Sequence, residues 1–157
     1  MSRVASAERE IAAPAPAIFA YLADLEQHWQ LADQFIEVVS LERPPGGGPA
    51  QGGVVRMCGP FRIWRAAHTR VVEADAPTRL SGSAEVGEGT VARVSWTLRP
   101  AGQDTLVRLE ANVERASFLD RALLALGGRR WLERRFAAIL QTLEARVAAS
   151  PGQSVPA

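Results

Sequence analysis

Lysine is missing from this chain: all 18 of its basic residues are arginine, set against 17 acidic ones. Without lysine there is neither a Schiff base nor a lysine nucleophile. The simplest reading of the absence is genomic base composition. The formal net charge of +1 lacks the basic excess of a nucleic-acid binder, so no nucleic-acid partner is expected. A single cysteine, Cys58, excludes an internal disulfide and leaves no sign of an oxidising compartment. No base stands beside Cys58 in the sequence, so it reads as a small buried hydrophobe. The two histidines, His28 and His68, come with no Cys-x-x-Cys or His-x-x-x-His spacing, and no metal or other cofactor is expected. No apolar run approaches the roughly 20 residues of a membrane span. The opening MSRVASAEREIAAP lacks the apolar centre of a signal peptide, so the expected location is cytoplasmic. There is no Gly-x-Ser-x-Gly elbow, and Gly46-Gly47-Gly48, flanked by prolines, is not a phosphate loop.

The 157 residues that are present suit a single domain, expected over 1–148, with 149–157 a disordered tail. Residues 3–12 read as a strand ended by Ala13-Pro14. Ile18, Phe19, Leu22 and Leu25 recur at helical spacing, which predicts short helices near 15–23 and 24–33, with Asp24 capping the second. Strand-like runs follow at 35–43, 53–59, 61–74, 78–87, 90–99 and 105–115. Their separators are turn chemistry: Gly59-Pro60, Asp75-Ala76-Pro77, Gly87-Glu88-Gly89 and Pro100-Ala101-Gly102. Short connections between consecutive strands predict an antiparallel meander.

Two strands alternate cleanly. Ala92, Val94, Trp96 and Leu98 oppose Arg93, Ser95, Thr97 and Arg99; Val107, Leu109, Ala111 and Val113 oppose Arg108, Glu110, Asn112 and Glu114. Such a sheet buries one face only. Its cover is the C-terminal segment, where Leu132, Phe136, Ile139, Leu140, Leu143 and Val147 form an apolar stripe. A shorter helical piece at 117–126 precedes it, and Gly127-Gly128 breaks the two apart. The predicted fold is α+β of the helix-grip kind: about seven antiparallel strands curved around a long C-terminal helix, with two short helices after the first strand.

EIAAPAPAIFAYLADLEQHW at 10–29, VVEADAPTRL at 71–80 and the terminal RRWLERRFAAILQTLEARV carry a resemblance. Together with the order of elements over 3–148, they make the chain resemble the START-related, polyketide cyclase and lipid-transfer superfamily, SRPBCC. The resemblance implies a helix-grip fold with an apolar cavity. Members bind lipids, sterols, polyketides or plant hormones, and some cyclise polyketides. No catalytic signature runs through the superfamily, so none is carried over, and fold alone does not set the reaction.

Candidate residues follow from the pattern. His68 lies mid-strand in RIWRAAHTRVVE, and two parities are open. If Trp64, Ala66, His68 and Arg70 face inward, His68 and Arg70 form a polar anchor in an apolar pocket. If Ile63, Arg65, Ala67, Thr69 and Val71 do, His68 is a surface residue. His28 reads as an exposed helical histidine beside a packing Trp29. Glu110 and Asn112 share the wet face of their strand, and Tyr21 reads as a helix residue packed at the sheet edge. The expected ligand-binding set is Trp64, His68, Trp96, Leu98, Leu109, Leu132, Phe136 and Leu140. Arg129, Arg130, Arg134 and Arg135 around Trp131 make a basic helical patch, which reads either as a solvated face or as a contact for an anionic membrane.

Two functions therefore compete. The first is the binding or carrying of a small hydrophobic molecule, lipid-like or polyketide-like, in an internal cavity. The second is a polyketide cyclase or dehydratase with His68 and Arg70 as proton donor and oxyanion stabiliser. A membrane-docking accessory role is a third, weaker reading.

Overall fold

A computed structural model describes residues 2–148, so the expected disordered tail at 149–157 lies outside the described residues. Seven antiparallel strands form one sheet in the order β1-β7-β6-β5-β4-β3-β2. Their ranges are β1 Ser2–Ile11, β2 Ile36–Glu42, β3 Gly52–Cys58, β4 Trp64–Asp75, β5 Arg79–Val86, β6 Thr90–Ala101 and β7 Asp104–Arg115. From β2 to β7 every strand pairs with its successor, as the turn-rich separators require; β1 closes onto β7.

Between β1 and β2 lie α1 (Ala15–Ala23), α2 (Leu25–His28) and a 3-10 turn, Trp29–Ala32. Pro16 sits in the first turn of α1, where a missing N–H costs nothing. Asp24 ends α1 and caps α2, accepting the Glu26 N–H at 3.0 Å. Its carboxylate also accepts the Ala50 N–H at 3.2 Å, which ties the helical segment to the loop before β3. After β7 come α3 (Phe118–Leu123), a π-type turn (Leu124–Gly128) and the 20-residue α4 (Arg129–Ala148). Gly127, at φ +114, supplies the left-handed conformation that separates α3 from α4.

The sheet curls because its ladders slip. Register shifts fall between Val38 and Ser40 in β2, Val71 and Glu73 in β4, and Val91 and Ala92 in β6. Bulges of this kind bend a strand and sharpen its twist. Gly53 sits opposite the β2 bulge at φ +154, and a Cβ there would lie 2.1 Å from the Ser40 carbonyl oxygen. Only glycine lets the two backbones approach so closely.

Inside the curve runs α4. Phe136, Ile139, Leu140 and Leu143 are buried against Ile18 and Leu22 of α1 and Val107 and Leu109 of β7. Each fully buried leucine contributes roughly 1.5–3 kcal/mol. Arg9, on the inner face of β1, donates to Glu144 of α4 at 2.9 Å and fixes the helix along that edge of the sheet.

The outer face is a polar ladder. Arg108 pairs with Glu110 at 2.9 Å, Arg93 with Glu114 at 3.4 Å, and Asn112 donates to Glu110 at 3.1 Å. Glu110 and Asn112 are half-buried beneath these partners rather than fully solvated. One predicted boundary is corrected: residues 61–63 are not strand. Pro60–Arg62 form a 3-10 turn in which Phe61 and Arg62 take φ of +61 and +58. Two successive non-glycine residues in that region cost of order 1–3 kcal/mol each.

Candidate functional site

A cavity of about 260 Å³ lies between the sheet and α4. That is near the lower end of the roughly 300–1,000 Å³ typical of ligand pockets. Val55, Ala67, Ala84, Val94 and Ala111 form its sheet wall; Leu132, Phe136 and Ile139 of α4 form the opposite one. Small residues on the sheet face Phe136 and Trp131 on the helix, and this mismatch in size leaves the space that better-matched layers would fill.

Of the residues the sequence pointed to, Trp96, Leu109, Leu132 and Phe136 line this cavity. Leu98 and Leu140 are buried beside it in the packed core and do not reach it. Trp64 and His68 are corrected. In β4 the inward set is Arg65, Ala67, Thr69 and Val71, with Ala67 and Thr69 buried, so Trp64, His68 and Arg70 alternate onto the outer face. Arg56 of β3 stacks its guanidinium over the Trp64 ring at 5.1 Å. The His68 side chain is 58% exposed and faces Glu42 at 3.5 Å. Arg70 borders the cavity in the β4 wall but belongs to the same outward set, and the residue is exposed. His68 and Arg70 therefore do not converge on a ligand.

Different polar groups reach the cavity. At one end Arg65, the first inward residue of β4, donates to both carboxylate oxygens of Asp120, with Nη2–Oδ2 at 2.7 Å. Arg65 also donates to the Val86 carbonyl at 3.2 Å. Asp120 accepts from the hydroxyls of Thr90 and, at 3.0 Å, Ser117, while the Ser117 backbone N–H donates to Thr90 Oγ1 at 3.0 Å. Ser117 caps α3 and Asp120 lies in its first turn, so the cap and the ion pair share one carboxylate. Burial alone would raise the Asp120 pKa; the hydrogen bonds from Arg65, Thr90 and Ser117 outweigh it and hold the carboxyl below its usual range. The same pairing raises Arg65. This end of the cavity is charged but internally neutralised.

The other polar feature is His28, expected to be exposed. It is instead half-buried, its ring 5.1 Å from Trp29 and 5.4 Å from Trp96, edge-on to the latter. All three line the cavity. The residue keeps some accessible surface and borders the cavity. Burial lowers the His28 pKa, against a smaller opposing effect of its hydrogen bond to the Leu22 carbonyl. α2 is a single turn running into a 3-10 turn, and the switch in helical pitch carries residue 28 inward. Periodicity over so few residues gives no signal of that. Arg65 belongs to one of the two parities that the sequence of β4 leaves open, and nothing in the sequence around Asp120 marks it as the partner of Arg65.

Among the described residues no group of three or more His, Cys, Asp or Glu is placed to hold a metal ion. No helix among them is long and apolar enough to cross a membrane.

Comparison with solved structures finds the same architecture repeatedly. A protein of Thermus thermophilus superposes with a TM-score of 0.66 at 21% identity, covering 93% of this chain and 97% of that one. A protein of Mycobacterium smegmatis gives 0.66 at 20%, covering 92% and 90%. A START superfamily protein from the same organism gives 0.63 at 18%, covering 92% and 96%. At such identities the likeness speaks for the fold. A search of the curated proteins finds no match. The family model described as polyketide cyclase / dehydrase and lipid transport matches residues 2–148, the whole of the described chain, and with the seven-stranded sheet gripping α4 it fixes the relationship: this protein belongs to that family.

Proposed function

We propose that the protein binds and carries a small hydrophobic molecule in the cavity between its sheet and α4. The observation that carries this reading is the composition of the cavity wall: aliphatic and aromatic side chains predominate, and the Arg65–Asp120 ion pair on it is already satisfied by protein partners. The volume favours a compact ligand, of lipid-like or polyketide-like character, over a two-chain lipid. The rival reading, a cyclase or dehydratase acting through His68 and Arg70, loses its residues to the outer face of β4. One cysteine, without a partner in the chain, fits a reducing compartment such as the cytoplasm. Saturable binding of naphthalene, a compact apolar probe, is the test: one site in the native protein supports the reading, and no binding overturns it.

A second reading, transient contact with an anionic membrane, has its own support. Phe118 is 87% exposed, Leu126 70% and Phe61 66%. They lie within or near the segments Gly59–Ile63 and Leu123–Leu124 that border the cavity, and the basic patch begins at Arg129, after the two glycines that follow Leu126. Apolar residues beside cations suit a lipid headgroup boundary. Of the four arginines, Arg129, Arg130 and Arg134 are exposed, whereas Arg135 lies over Phe35 and Trp131 at 5.2 and 5.3 Å.

A further inference from the structure

His28 has one hydrogen bond, from Nδ1 to the Leu22 carbonyl oxygen at 3.0 Å. A carbonyl only accepts, so Nδ1 carries the proton. In the neutral imidazole that burial enforces, Nε2 is then a bare acceptor, and no described residue donates to it. On either side of this ring, Trp29 and Trp96 each hold a buried indole N–H without a partner. Both nitrogens are closed to solvent and to the cavity alike, so these N–H groups sit within the wall and leave His28 Nε2 as the acceptor on the cavity-lining ring. Polar groups in such surroundings are nearly always hydrogen-bonded, and a bare acceptor on a ring that lines a cavity marks the place where a ligand completes it.

An apolar wall with one bare acceptor calls for a ligand that brings a hydrogen-bond donor and little other polarity. A hydroxyl donates its proton to the imidazole and adds the least further polar surface to an apolar site. A carbonyl or ether oxygen cannot donate to Nε2, and a carboxylate would bring an unpaired charge into an apolar site. We propose that the ligand is a compact apolar molecule bearing a hydroxyl, phenolic or alcoholic, and that His28 Nε2 receives its O–H. The inference rests on the cavity-binding reading above and specifies the substrate class of that site. It differs from the sequence expectation, which put the polar anchor on His68.

The test uses three probes of one shape: naphthalene, 2-naphthol and 2-methoxynaphthalene, titrated calorimetrically into the full chain and its His28→Phe variant. The expected result is that 2-naphthol binds the native protein about tenfold more tightly than the other two, as one buried hydrogen bond allows. In His28→Phe that preference disappears while naphthalene still binds. Equal binding of all three to the native protein overturns the hydroxyl inference and leaves the cavity reading intact; binding of none overturns the cavity reading itself. Should His28→Phe fail to fold, imidazole ¹⁵N spectra of the native protein decide, with His68→Ala assigning the two rings. Protonated Nδ1, bare Nε2 and an Nε2 shift with 2-naphthol but not with naphthalene support the assignment. A ring protonated at Nε2, or one unmoved by 2-naphthol, refutes it.

Discussion

Arg65 and Asp120, 55 residues apart in sequence, meet in a two-armed ion pair that fastens α3 to the start of β4. Because Thr90 and Ser117 share the same carboxylate, one side chain joins β4, β6 and the α3 cap. Both partners are largely enclosed, with side chains 15% and 14% exposed, so removing one leaves a buried charge unpaired. Asp120→Asn is expected to cost about 2–4 kcal/mol in urea denaturation. The Arg65→Met, Asp120→Asn double variant should lose less than the sum of the two singles. Additive losses would mean that the two residues do not act together.

Acid should weaken the fold in two separate windows. The folded-state pKa of His28 lies below its ordinary 6.5, so below pH 6.5 the unfolded chain takes up a proton that the folded ring resists. Stability is therefore fully present above that value and declines as pH falls toward the folded pKa. Asp120 is also depressed, from 3.8, so its contribution is present above 3.8 and is lost as pH falls through the folded value. Denaturation curves across pH 7 to 3 should show both declines. His28→Phe should remove the upper one and Asp120→Asn the lower; a profile unchanged by either substitution would contradict the assignment.

The membrane reading makes its own prediction. Vesicles of phosphatidylcholine with phosphatidylserine should retain the protein at low salt and release it as salt screens the arginines. Replacing both Phe118 and Leu126 by serine should reduce that retention several-fold without changing the denaturation midpoint, since both side chains are exposed. Retention that survives this double substitution would place the contact elsewhere.

The strands were readable because chemistry is spaced along them. In β6 and β7 the alternation of Val94, Trp96 and Leu98 with Arg93, Ser95 and Thr97 has one solution, and the sheet adopts it. β4 has no such solution, since Arg65 and Arg70 put a cation on each face. The tie is broken by Asp120, a partner for Arg65 that the Ser117-capped start of α3 brings across to β4 and β6, and so by tertiary structure. His28 was illegible for a related reason. Its place follows from the change of pitch between α2 and Trp29–Ala32, and from Trp96 arriving out of a strand nearly 70 residues later. Leu98 and Leu140 show the opposite error: apolar patterning marks the core, and whether a core residue touches the cavity depends on how well its neighbours fill space.

The central claim, that the space between sheet and helix is a ligand site, is tested most directly by filling it. Ala84 lies on the cavity wall opposite Ala92, and Ala84→Leu projects an isobutyl group into that space. Calorimetric titration with naphthalene should show one saturable site in the native protein and in His68→Ala, and at least tenfold weaker binding in Ala84→Leu at undiminished stability. Equal binding by the native and Ala84→Leu proteins, or no binding by the native protein, would contradict it.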